Sequence, residues 1–363
     1  MNTPDTNRVY QIDLFRFIAA LSVVLYHYLF RSWAGNIDSN LDFYILGSFF
    51  KYGYLGVDLF FIISGFVIAL SIQHRSITRF AISRISRLYP VYWVCVTLSF
   101  LVITFFGGEN YNVSIREFIV NLSMFQNYLG TKNVDGVYWT LFVEMKFYLF
   151  TIGMYLLVNK LHKVNFDYLL IFWSVITILN IPFGHLYLMK KINYYFIVEW
   201  MPYFIAGMTF YQIYSQRNLS IKYVLILLIS LGTSIHYAIL RLPSLESSYK
   251  ISFSPLIVVA IICVFYIIML MVSTHKMQKI NSSIFIKLGV LTYPLYLIHQ
   301  NIGFIIFSKF QGVSKFLLVS IVILVMLSIS FVLSNYYEPW LSKRIRKLLN
   351  KFTAHILINK KME

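Results

Sequence analysis

The chain reads as a succession of apolar runs, each about as long as a membrane is thick, separated by short polar segments. We place ten of them, at 14–32, 53–73, 89–107, 137–158, 166–183, 193–214, 222–240, 253–273, 286–307 and 315–337. About 20 predominantly apolar residues cross the hydrocarbon core as a helix. The alternating apolar and polar signal of a membrane β-barrel is not seen. The pattern predicts an all-α membrane protein of about ten transmembrane helices. The longest polar loop is expected at 108–136 and a short basic tail at 338–363. The chain 1–363 is expected to form a single transmembrane domain with no soluble domain appended. Its first run contains Arg16 and is followed by no small-x-small cleavage site, so it is expected to be a resident span and not a cleaved signal.

Polar residues inside the runs carry more information than the runs themselves. Arg16 and His27 lie eleven residues apart in the first one. At about 100° per residue they return to nearly the same helix face, roughly 16 Å apart along the axis. An ionisable group in lipid costs roughly 3 kcal/mol or more, so such groups face a bundle interior or an aqueous cavity. Asp58, Glu144 and His299 interrupt the second, fourth and ninth runs. With the N-terminus inside, these three and His27 sit about 8–12 Å below the outer surface and are expected to converge. A carboxylate beside a histidine fixes its tautomer and raises its basicity. That arrangement suits a general base acting on a hydroxyl. The competing reading is a polar network that holds helices together.

Charge sets the orientation. Placing both termini in the cytoplasm puts nineteen of the 31 Lys and Arg residues on inner segments and ten in outer loops. The net charge of +17 could suggest nucleic acid, but only 12% of residues are charged, against about 25% in soluble domains. Cytoplasmic loop charge and anionic lipid explain the surplus, and no nucleic-acid partner is expected. Arg75, Arg79, Arg84 and Arg87 fall in one inner loop, just before Leu88-Tyr89-Pro90. Arg84 and Arg87, three apart, would share a helix face. Arginine forks suit phosphate oxygens, although the positive-inside rule alone predicts basic residues here. Arg16 lies at the same level. A donor with phosphates at these arginines and a reactive end near His27 would be long and thin, as coenzyme A is. Cys95 and Cys263 lie in apolar runs, and neither a disulfide, thiol catalysis nor a metal site is expected.

Several motifs carry a family resemblance. Asp13-Leu-Phe-Arg16, with ten residues before His27, resembles the first-helix signature of the acyltransferase-3 family of integral membrane acyltransferases. Gly56-Val-Asp58-Leu-Phe-Phe-Ile-Ile-Ser64-Gly65-Phe66 is similar to its second-helix motif, and Arg84-Ile-Ser-Arg87-Leu-Tyr-Pro90-Val-Tyr92 to its basic cytoplasmic one. Trp139-Thr-Leu-Phe-Val-Glu144-Met-Lys-Phe147-Tyr148 resembles its tryptophan motif. Gly289-Val-Leu-Thr-Tyr293-Pro-Leu-Tyr296-Leu-Ile-His299 and Glu338-Pro339 match its late patterns. The order is kept from Asp13 to Pro339. The chain departs where the family often has a second acidic residue after the glutamate: here Met145 and Lys146 follow. Thr140 replaces a usual serine, and Val137-Tyr138 stands where a polar residue commonly precedes the tryptophan.

The resemblance implies acyl transfer, usually of acetyl, from cytoplasmic acyl-CoA to a hydroxyl of an envelope glycan or its lipid-linked precursor, in a bacterial cytoplasmic (inner) membrane. Acetyl-CoA would be a co-substrate, with no tightly bound cofactor. On this reading His27 is the general base, with an acyl-histidine intermediate as the alternative. Glu144 and Asp58 would orient the histidine or the acceptor, and Arg16, Arg84 and Arg87 would hold the donor phosphates. Asp13, Ser64, Trp139, Tyr148, Tyr293 and His299 would serve structure or the acceptor side. Ser64-Gly65 is expected to loosen the second helix, and Ser64 is not taken as a nucleophile because the sequence places no base beside it. The rival class is a secondary transporter or flippase for a glycolipid or organic anion, which also uses buried His, Asp, Glu and Arg. It would not consume acetyl-CoA.

Overall fold

A computed structural model of the protein describes residues 8–35, 41–73, 76–161, 166–310 and 312–362. Among the described residues every regular element is a helix. Seven helices are long and apolar enough to cross a membrane: Tyr10–Ala34, Tyr44–Ile72, Ile77–Phe106, Phe166–Phe183, Ile221–Tyr249, Pro255–Ser273 and Lys315–Ala354. An eighth span is present if Ser283–Ile298 and Gln300–Lys309, bent by 63° at their junction, are one broken crossing. The two remaining apolar runs form the helices Trp139–Leu161 and Met201–Gln216. The latter has 16 residues, about 24 Å of rise, which is less than the roughly 30 Å hydrocarbon core. The chain is thus a multi-pass helical membrane protein. Large apolar side chains such as Ile45, Phe105, Leu256 and Leu324 are exposed on its outer faces, as lipid contact requires.

The chain divides into two compact units, one formed by 1–70 with 140–290 and the other by 71–139 with 291–363. In the first unit, the opening span is α-helical over Tyr10–Leu25 and then widens into a six-residue π-helical turn, Tyr26–Arg31. The next span begins with Tyr44–Phe50, passes through a 3-10 turn at Lys51–Leu55, and continues as Gly56–Gln73. Ser64-Gly65 does not loosen this last helix, contrary to expectation, because Gly65 has a packing task. A Cβ added there would lie 2.3 Å from the Phe204 carbonyl oxygen, and one at Gly207 would lie 1.9 Å from that of Ile62. Two glycines on facing helices let the backbones touch, as small residues do in membrane interfaces. Phe147 stacks on Phe204 beside this crossing, with centroids 3.9 Å apart. Every residue from Met201 to Ile213 is buried, so this short helix is the core of its unit.

Gly207→Ala is accordingly expected to destabilise the protein by at least the roughly 1–3 kcal/mol typical of overpacking, because the clash is with backbone. A lowered thermal midpoint of the detergent-purified variant checks this; an unchanged midpoint would mean that the crossing is loose.

In the second unit, a 30-residue helix, Ile77–Phe106, carries Arg79, Arg84 and Arg87. The basic segment expected to be a loop is therefore helical from Ile77 onward, with Ser76 as its N-cap; Arg75 lies outside the described residues. The expected long loop at 108–136 contains a short helix, Ile115–Asn121, opened by a capping box between Ser114 and Glu117. The Ser114 backbone and hydroxyl both donate to the Glu117 carboxylate and hold it below the usual carboxylate range. Tyr92 and Trp93 tie this segment to the long helix through the carbonyls of Asn121 and Leu122. The expected short tail is a 25-residue helix, Glu338–Met362, which packs along Ile77–Phe106.

Candidate active site

His27 is 5% exposed and sits on the π-helical turn of the first unit. Its Nε2 lies 3.2 Å from Nη1 of Arg31, four residues on. A guanidinium has no lone pair to offer, so Arg31 donates and Nε2 accepts, which puts the proton of a neutral ring on Nδ1. The partner at Nε2 is thus a cation. Arg31 itself reads in the sequence as an ordinary outer-loop charge. The wide turn begins at Tyr26, so the α-helical spacing that relates Arg16 to His27 holds only as far as Leu25. Arg16 is half-buried. Asp13, on the same helix, accepts from Nε of Arg8 at 2.7 Å. It also abuts Gly289 so closely that a Cβ there would be 2.6 Å from its own. Two of the motifs therefore meet at a packing contact.

Asp58 is 2% exposed. Its carboxylate accepts from Nη2 of Arg241 at 3.0 and 3.2 Å and from the Tyr203 hydroxyl at 3.1 Å. The Arg241 guanidinium lies 4.1 Å from the centroid of the Trp200 ring. Arg241 was missed by the sequence reading, which placed it among outer-loop cations. No short-range signal could have found it, since it lies 183 positions from Asp58.

Glu144 forms a third polar group in the same unit. It accepts from the Ser64 hydroxyl at 3.2 Å and from Tyr148, one helical turn on. The sequence reading set Ser64 aside for want of a neighbouring base; the fold puts a carboxylate beside it. In this arrangement Ser64 donates, so the contact orients Glu144 as much as it polarises the hydroxyl. Lys146, which marks the departure from the motif, turns away and donates to the Tyr194 carbonyl at 2.6 Å, with the Phe142 ring 4.3 Å from its ammonium.

The second unit holds the remaining predicted residues. Arg84 is 8% exposed; it donates to the Ser71 hydroxyl and lies over the Phe80 ring at 5.2 Å. Arg87 is half-buried and is a charge neighbour of Glu338, which joins the basic motif to the closing one. Tyr293 donates to the Leu88 carbonyl at 3.2 Å. His299 is fully buried at the 63° bend, and its Nδ1 lies 2.8 Å from the Tyr296 carbonyl oxygen. A carbonyl only accepts, so Nδ1 carries the proton there. Trp139 is half-buried at the head of its helix. Just before it lies a carboxylate the sequence reading passed over. Asp135 is fully buried and accepts from the backbone N–H of Val137 at 3.1 Å and of Asn301 at 2.9 Å. Its signal was an Asp-Gly pair preceding a helix, the usual form of an N-cap.

Within the first unit, then, His27 with Arg31, Asp58 with Arg241 and Tyr203, and Glu144 with Ser64 and Tyr148 form three polar groups, each with at least one buried member. They supply a proton acceptor, cationic donors and hydroxyls, which are the parts acyl transfer needs. The family model described as an acyltransferase domain matches residues 9–335. A protein of Acidianus two-tailed virus, provisionally named acetyltransferase ORF330, is 26% identical over 294 residues, covering 80% of this chain and 82% of its own. No solved structure gives a significant match. The chain belongs to the acyltransferase-3 family of membrane acyltransferases.

Proposed function

We propose that the protein is an O-acyltransferase of a bacterial cytoplasmic membrane, with both termini inside. It takes an acyl group, acetyl in the simplest case, from cytoplasmic acyl-CoA and passes it to a hydroxyl of an envelope glycan or its lipid-linked precursor. The observation that carries this reading is the pairing of buried His27 with Arg31 on the first span of a chain that belongs to an acyltransferase family. Arg31 withdraws from Nε2 when the acceptor hydroxyl enters, and Nε2 takes the hydroxyl proton. The hydroxyl oxygen attacks the thioester carbonyl, the C–S bond breaks, and the imidazolium returns its proton to the departing thiolate. A guanidinium this close to the reacting atoms is well placed to stabilise the oxyanion that forms on the way. Glu144 and Asp58 position the acceptor side, and Arg16, Arg84 and Arg87 hold the donor phosphates.

Purified protein incubated with acetyl-labelled acetyl-CoA and cell-envelope glycan tests the reading. Label on the glycan is expected. Complete absence of label from glycan and protein alike would sink it in favour of a transporter or flippase, which moves its solute without consuming acetyl-CoA.

The donor side has its own test. Arg87→Ala is expected to weaken acetyl-CoA binding by roughly 1.5–3 kcal/mol, the scale of a hydrogen bond to a charged group. Arg84→Ala should weaken it too, and Arg84→Lys should rescue only in part, because an ammonium lacks the planar fork. If the double alanine variant binds acetyl-CoA as tightly as the parent, these arginines serve orientation in the membrane alone.

A further inference from the structure

Among the described residues, the Tyr54 hydroxyl and Nη1 of Arg241 are two of seven buried side-chain polar atoms of the first unit without a hydrogen-bond partner. They belong to one neighbourhood. The other terminal nitrogen of Arg241 holds both oxygens of Asp58. Tyr54 lies on the 3-10 turn that leads into the helix of Asp58, and its hydroxyl is an electrostatic neighbour of both Asp58 and Arg241. A buried donor or acceptor left unmatched costs about 1–3 kcal/mol. Two of them beside one carboxylate mark a place prepared for a polar ligand.

The surroundings narrow the ligand. Tyr54 meets Tyr26 edge to face at 5.8 Å, and the Tyr26 ring lies 5.0 Å from that of His27. Phe253 flanks Tyr54 at 6.1 Å, and Trp200 lies under Arg241 at 4.1 Å. Asp58 already neutralises Arg241, so an incoming anion would meet the carboxylate without a spare positive charge. A neutral hydroxyl meets no such penalty: its oxygen accepts from Nη1 while it exchanges a second bond with Tyr54. The aromatic rings suit the apolar C–H faces of a sugar ring.

We propose that Tyr54 and Arg241 bind a sugar ring of the acyl acceptor through its neutral hydroxyls, beside Asp58 and one aromatic ring away from His27. Calling the sugar an acyl acceptor rests on the acyltransferase reading; the binding site itself does not.

Tyr54→Phe removes only an oxygen that bonds no protein group, so the thermal midpoint should stay level or rise. Arg241 is the wrong place to probe, because its loss strands Asp58. The probes are methyl hexosides, namely the glucoside, galactoside, mannoside and rhamnoside, each added to the full-length protein in a detergent without a sugar headgroup. Binding is read by saturation-transfer NMR, with inorganic phosphate as the anionic control. At least one hexoside is expected to bind the parent and to bind Tyr54→Phe at least tenfold more weakly. Binding of no hexoside, equal binding to both proteins, or phosphate binding in place of hexoside binding would overturn the proposal. So would a fall in the thermal midpoint of Tyr54→Phe, which would give the hydroxyl a structural partner. Because this readout needs no acyl-CoA, it stands apart from the labelled acetyl-CoA assay, and either can fail without the other.

Discussion

His27→Ala is expected to lower acyl transfer by about 10²–10⁴-fold, the contribution usual for a positioned general acid–base group. The protein should still insert, since an apolar replacement within a span favours the membrane. Some cost to the fold is expected as well. Half-buried Arg31 loses the acceptor at Nε2, and a hydrogen bond to a charged group is worth roughly 1.5–3 kcal/mol. The measurement must therefore normalise label on glycan to folded protein, taken from the thermal midpoint and the monodisperse yield. A folded His27→Ala protein that acylates glycan at the parental rate would remove His27 from the chemistry. Arg31→Ala separates the two roles of the pair. If Arg31 stabilises the oxyanion, that variant loses turnover while acetyl-CoA binding stays level; if Arg31 only guards Nε2, turnover is kept.

The largest effect on stability is expected at the Asp58–Arg241 pair. Asp58→Ala would leave the Arg241 guanidinium, only 22% exposed at its side chain, without its counter-charge, and breaking one side of a buried pair costs about 3–5 kcal/mol. Against a total of about 5–15 kcal/mol for a native protein, that removes a large share. Tyr203 would lose one of its two acceptors and keep the Ser234 carbonyl at 3.2 Å. Replacing both partners with apolar residues of similar volume, as in Asp58→Leu with Arg241→Met, should recover much of the loss, because no charge then remains buried. Thermal midpoints of the two single variants and the double one give the coupling directly. A single variant that loses less than about 1 kcal/mol would show the pair to be solvated and weak.

The sequence was a good guide to which residues are buried and a poor guide to what they touch. Asp13, His27, Asp58, Ser64, Arg84 and His299 are all buried in the folded protein. For His27, Asp58, Ser64 and His299 that follows from finding polar residues inside apolar runs, because lipid excludes them; Arg84 lies outside those runs, and Glu144, inside one, is only half-buried. Their partners do not follow. Asp58 meets a residue 183 positions away, and Ser64 meets one 80 positions away. Helical periodicity says which face a residue occupies but not which helix it faces. Arg31 and Arg241 lie near the ends of apolar runs, where a charge by its sequence context indicates only orientation.

The run of arginines has the charge density of a loop, yet Arg is a good helix former and Ser76 supplies a cap. The capping box at Ser114 and Glu117 was present in the sequence, inside a segment read only as polar. Ser64-Gly65 has the composition of a weak point in a helix, and Gly65 is instead where a second backbone makes close contact. The π-helical turn had no legible signal at all. Tyr26–Arg31 contains no glycine or proline that would set it apart from an α-helical stretch.

That turn sets a rule for how the first span tolerates change. A helix is a periodic object, and one residue added to a turn shifts the angular phase of everything beyond it by about 100° relative to everything before it. His27 and Arg31 both sit within the phase step. Substitutions alter side chains and leave the phase alone, so a scan that exchanges one residue at a time never probes it. A change of length does. Deleting one residue between Tyr26 and Arg31 would let the span close into an uninterrupted α-helix. Trp33 would rotate away from the Leu29 carbonyl and from Gly47, both of which it now adjoins, while Asp13 and Arg16 kept their places.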